Sequence, residues 1–133
     1  MSDTIFIKAL ADYLVENGIG TLKTDMFIGQ APAKYGNCLY LINGMLPNPN
    51  LSQKVYDQEI EFWTRNKYQP TGFSKLLEVQ ELLHLAHHYE IGDYYVYFSN
   101  IQGSIEDNDV DIEGRKLQKL TIRFIYKESN LVS

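Results

Sequence analysis

The 133-residue chain has one cysteine, Cys38, so no intrachain disulfide can staple it and nothing points to an oxidising compartment. No apolar run approaches the ~20 residues of a membrane span, and residues 1–16 lack the basic start and apolar stretch of a secretory leader. These absences predict a soluble protein made inside a cell. Cations are scarce too: 12 Lys and Arg stand against 17 Asp and Glu, a formal charge of −5. A broad phosphate-binding surface needs clustered Lys and Arg, so the charge argues against sequence-independent DNA binding. Neither GxxxxGK[ST] nor GxGxxG occurs, no Ser stands in a strand-turn-helix elbow, and Cys38 lies within an apolar run where a thiol is inert. No internal repeat, low-complexity segment or linker divides the chain. One domain over residues 1–133 is the expectation, and 44% apolar residues suffice for its core without metal support.

The longest helical pattern is residues 70–90, PTGFSKLLEVQELLHLAHHYE. At about 100° per residue, Leu76, Val79, Leu82, Leu83, Ala86 and Tyr89 share one stripe, with Glu81, His84 and His88 opposite. Pro70 and Thr71 suit the start, with Thr71 as a cap, and Gly92 suits the stop. An earlier helix, capped by Asp3 or Thr4, is read from Phe6, Ala9, Leu10, Tyr13 and Leu14 and ends at Asn17-Gly18-Ile19-Gly20. Met26-Phe27-Ile28 reads as a strand stopped by Gly29, residues 31–37 as a loop, and Cys38–Ile42 as a strand that is buried on two sides or sits centrally in a sheet. From Val55 to Arg65, Tyr56, Ile60 and Phe62 alternate with Asp57, Glu59, Glu61 and Trp63. Tyr94, Val96 and Phe98 alternate with Tyr95, Tyr97 and Ser99. Leu120, Ile122, Phe124 and Tyr126 alternate with Lys119, Thr121, Arg123, Ile125 and Lys127. The order predicts an α+β fold, an antiparallel β-sheet with two helices packed on one face.

Three features invite a functional reading. The second faces of these strands mix Tyr and Trp with opposite charges, which suits subunit contact, as cross-strand salt bridges on a wet face also would. The segment Asn43–Ser52 carries prolines and asparagines with the apolar residues Met45, Leu46 and Leu51, so it reads as a long docking loop or a surface insertion. Residues 105–114 form the most acidic stretch, expected to be an extended, hydrated loop. There Asp107, Asp109 and Asp111 alternate as in an EF-hand, but the sixth and twelfth positions hold Ile112 and Gln118 where glycine and a bidentate Glu are needed. His84 and His88, four apart with Glu81 one turn earlier, form part of a zinc geometry. Leu85 occupies the place of the general-base Glu of HExxH, and no third strong ligand is identifiable. No catalytic residue, metal or cofactor is assigned.

The helix ending near NGIG, strands at MFIGQAP, CLYLING and YDQEIEFWTRN, the helical run FSKLLEVQELLHLAHH and the closing KLTIRFIYK together resemble the tail-terminator and minor capsid proteins of long-tailed bacteriophages. The resemblance covers nearly the whole chain and rests on length and element order, not on an invariant motif. It implies a virion protein made in the host bacterial cytoplasm, not an enzyme. Such a protein forms a ring, hexameric in that family, that caps the tail tube, stops its polymerisation and joins the head-completion or connector protein, with DNA passing through unbound and no membrane involved. On that reading Glu59, Glu61, Trp63, Tyr95, Tyr97 and Arg123 make the subunit interface. Met45, Leu46, Asn48, Asn50 and Leu51 contact tube or connector, and Glu106, Asp107, Asp109, Asp111 and Glu113 line or flank the channel. Two alternatives stand beside it: another neck or head-completion protein, and a small metal-dependent enzyme using Glu81, His84 and His88 or the Asp cluster.

Overall fold

A computed structural model describes residues 5–44 and 55–129, and its elements run α1 (Phe6–Glu16), β1 (Met26–Ile28), β2 (Cys38–Asn43), β3 (Tyr56–Asn66), α2 (Gln69–Leu83), β4 (Ala86–Ile91), β5 (Tyr94–Ile101), β6 (Glu106–Val110) and β7 (Lys116–Glu128). The seven strands form one sheet in the order β1-β2-β3-β7-β5-β4, with β6 on β7. It is antiparallel except at β1–β2. The α+β architecture expected from the pattern is the one observed.

Strand β7 is the axis of the sheet. One of its edges pairs with β3 from Lys116 to Tyr126; the other pairs with β6 at its start and β5 at its end. Alternation sends Ile60, Phe62, Leu120, Ile122, Phe124 and Tyr126 inward, where they meet Leu10 and Leu14 of α1 and Leu76, Val79 and Leu83 of α2 in one core. Both helices therefore cover the same face. Phe6 stacks on Tyr126 at 3.9 Å between ring centroids. Helix α1 stops where Gly18 takes a φ of +76°, which lets the Ile19 N–H reach back to the Leu14 carbonyl at 2.9 Å. No side chain caps its start, where Ile5 stands, and Asp3 and Thr4 lie outside the described residues.

Several expectations are corrected. Helix α2 ends at Leu83, and Ala86–Ile91 is an edge strand. Ala86 and Tyr89 thus leave the helical stripe, while Leu76, Val79 and Leu83 keep it. The turn needs Leu85 at a φ of +57° with no glycine to announce it, and Ser99 fixes it by donating to the Leu83 carbonyl at 2.7 Å. Tyr89 pairs with the same Ser99 Oγ at 2.6 Å; burial pushes its hydroxyl up to about 12 and keeps the proton on. Pro70 does sit in the first turn, but Tyr68 occupies the cap position, so Thr71 caps nothing, and Gly92 turns the β4–β5 hairpin at a φ of +56°. In β5 an extra residue between Val96 and Phe98 shifts the register, so Ser99 is buried and Phe98 faces out against His87.

Candidate assembly surface

The sheet face away from the helices is neither core nor plain solvent face. Trp63 lies between Tyr40 on β2 and Lys119 on β7: its ring is parallel to Tyr40 at 6.1 Å, and the Lys119 ammonium sits 5.6 Å from its centre. Its indole N–H donates to the Glu61 carboxylate at 2.9 Å. Further along β7, Glu59 is directly opposite Arg123, yet Arg123 forks onto Asp57, with Nε to Oδ1 at 2.7 Å. That hydrogen bond holds the Asp57 carboxyl below its usual range. At the end of the strand Tyr95 and Tyr97 meet edge to face at 5.1 Å, Lys127 covers Tyr97, and His88 Nδ1 bonds the Tyr95 hydroxyl at 2.8 Å.

The six expected interface residues are therefore on one face but do not form one patch. Trp63 pairs with Lys119 and Tyr95 with Lys127, eight residues apart on β7 and so ~26 Å from each other. Trp63 and Glu61 mark one end, Tyr95 and Tyr97 the other, with Glu59 and Arg123 between.

The acidic stretch is extended, with Glu106, Asp107 and Glu113 exposed as its charge predicts, but it is not a loop. Residues 106–110 are strand β6, and Asp107 accepts from the Gln118 amide at 2.9 Å. Glu106 lies opposite Lys119, 4.0 Å from its ammonium. Asp111 organises the following turn: its Oδ1 accepts the N–H groups of Glu113 and Arg115 at 3.0 and 2.9 Å, and its Oδ2 accepts Arg115 Nε at 2.7 Å. Burial opposes its ionisation, but these bonds, led by the Arg115 N–H, hold the carboxyl below its ordinary value. Arg115 also binds Glu113 at 2.8 Å. Of the acidic set, Asp109 is placed on β6 by its backbone alone.

Arg65 and Arg115 carry out a task the strand pattern did not suggest. Arg65 donates to the carbonyls of Ala31 and Tyr35 at 3.3 and 2.8 Å and also to Pro32. Arg115 donates to those of Ala33 and Tyr35 at 2.7 and 3.1 Å. Both arginines are buried, and together they pin the 31–35 segment over Cys38 and Phe27. Burial pushes the Cys38 thiol up, against the pull of the nearby guanidiniums.

The His84, His88 and Glu81 arrangement is split by the end of α2, which keeps Glu81. His84 caps the end of α2 and its Nδ1 accepts the Ile101 N–H at 3.1 Å, while His88 is on β4 bonded to Tyr95. Among the described residues, no three His, Cys, Asp or Glu side chains are grouped to hold a metal, and no helix is long and apolar enough to cross a membrane. Met45, Leu46, Asn48, Asn50 and Leu51 lie outside the described residues.

A search of curated proteins finds no match. A family model for the bacteriophage tail terminator protein matches residues 13–128. That span begins in the last turns of α1 and ends at the last residue of β7, so it takes in the whole sheet and α2. Element order, sheet and family match agree, and the chain belongs to the bacteriophage tail terminator family.

Proposed function

We propose that this chain, acting as one domain over its 133 residues, assembles into a ring, hexameric as the resemblance implies, on the head-proximal end of the tail tube. There it stops tube growth and presents a surface to the head-completion or connector protein. The family makes it a structural protein of the virion tail, in contact with other tail components. Synthesis in the host bacterial cytoplasm precedes this assembly.

The observation that carries the ring is the helix-free sheet face, where paired aromatics with a lysine over one ring of each pair sit half-buried at both ends of the same long strand. Amphipathic rings of this kind are enriched at protein interfaces. In this reading Glu59, Glu61, Trp63, Tyr95, Tyr97 and Arg123 meet neighbouring subunits, and the 45–51 segment meets tube or connector. The acidic β6 edge, with Glu106, Asp107, Asp109, Asp111 and Glu113, flanks a channel that repels phosphate and lets DNA slide.

Native mass spectrometry over a concentration series, with and without magnesium, tests the reading. The expected species is a closed ring, lost in Trp63→Ala and Tyr95→Ala proteins that keep their fold by circular dichroism. Rings of unchanged stability in both variants refute this interface.

A further inference from the structure

Ile112 has its whole side chain in water, at 103% relative exposure, while the turn beneath it is locked. The Gly114 N–H closes the turn on the Asp111 carbonyl at 3.0 Å, the Asp111 carboxylate holds two backbone N–H groups, and Arg115 bolts both Asp111 and Glu113 to the pinned 31–35 segment. Such a turn presents one apolar side chain outward with its ordering cost already met, as a docking knob requires.

At the opposite end of β7, ~33 Å away by strand rise from Lys116 to Tyr126, a cavity of about 270 Å³ opens between Phe6, Tyr56, Tyr94 and Tyr126, with Ile5 and Glu128 among its walls. A cavity of about 150 Å³ is enough for a benzene ring, so this socket has room for an isoleucine side chain. Lys116, exposed and paired with Val110 across the β6–β7 ladder, stands beside the knob, and Glu128 lines the socket, so one ion pair forms at the rim of the contact.

We infer that Ile112 of one copy seats in the Phe6–Tyr56–Tyr94–Tyr126 socket of the next. A knob and a socket at opposite ends of one subunit make a heterologous contact, which propagates head to tail and closes into a ring when the rotation allows. It also gives the split aromatic face a purpose: the Trp63 end of one subunit meets the Tyr95 and Tyr97 end of its neighbour. The inference rests on the ring reading only for closure.

Disulfide trapping tests it in the full chain, where native Cys38 is buried. Ile112→Cys and Ile5→Cys proteins, mixed and oxidised, are expected to give a mixed covalent dimer, and the double variant a covalent ladder. Ile112→Asp is expected to weaken assembly by about 10-fold or more, the ratio set by burying one Ile, with its melting temperature unchanged. A mixture that cross-links no faster than Ile112→Cys alone overturns the contact even if wild-type rings form. A ladder that never closes, beside wild-type protein that never forms rings, upholds the contact and refutes the ring.

Discussion

Replacing Gly72 by alanine should destabilise this protein, against the ordinary behaviour of a helical glycine. Within a helix the exchange usually gains about 1 kcal/mol, because alanine loses less backbone entropy. Here the added Cβ lands 2.5 Å from Gln118 Oε1, 2.7 Å from Thr64 Oγ1 and 2.9 Å from Asn66 Nδ2. All three neighbours are buried on β3 and β7, and Gln118 is held by its bond to Asp107. Forcing room into a packed site costs about 1–3 kcal/mol, and moving Gln118 gives up a hydrogen bond of about 1 kcal/mol. The clash outweighs the helix gain, for a net loss of about 1–3 kcal/mol. At roughly 4 °C per kcal/mol for a chain of this length, the melting temperature falls by about 4–12 °C. Urea denaturation of wild type, Gly72→Ala, Gln118→Ala and the double variant gives the coupling directly, and the double variant is expected to lose less than the sum of the singles. A Gly72→Ala protein as stable as wild type, or more stable, would refute the packing argument.

Ser99→Ala strands the buried Leu83 carbonyl and the Tyr89 hydroxyl, so a loss of about 1–3 kcal/mol is expected in urea denaturation, with amide exchange rising first in β4. Asp57 is held below its ordinary value near 3.8, first by the Arg123 hydrogen bond. Its folded state therefore binds the proton less tightly than the unfolded chain, and its contribution is present above about pH 3.8 and fades as pH falls below that. Asp57→Asn should flatten that part of the acid limb, and an unaltered limb in a pH series of melts would show that the Arg123 fork adds no stability.

Most of the sheet was legible because one of its faces is buried. Ile60, Phe62, Leu120, Ile122 and Phe124 announce their strands by alternation, and Glu59, Trp63 and Arg123 fall on the other face as a matter of period. The helix–strand junction at His84 was not legible. Ala86 and Tyr89 happen to continue the 100° pattern, and the break is made by a leucine in a glycine-like conformation, stabilised by Ser99 from a distant strand. The bulge in β5 hid in the same way, since Phe98 and Ser99 exchange faces only because of one inserted residue. The acidic stretch misled because its repulsion is cancelled by Gln118, Lys119 and Arg115, all farther along the chain. For the site, sequence placed the six expected interface residues on a common face without showing the distance that divides them. Arg65 and Arg115 gave no local signal beyond being cations in or beside strands.

The way those two arginines grip the 31–35 segment has a consequence for how this protein can change over generations. Each guanidinium holds carbonyl oxygens of Ala31, Pro32, Ala33 or Tyr35, groups that every amino acid supplies. The attachment is thus indifferent to the identity of exposed side chains such as Ala33 and Lys34. Mutations there can alter what the segment shows to the outside while its position stays fixed, so this edge can vary in sequence without the fold being rebuilt.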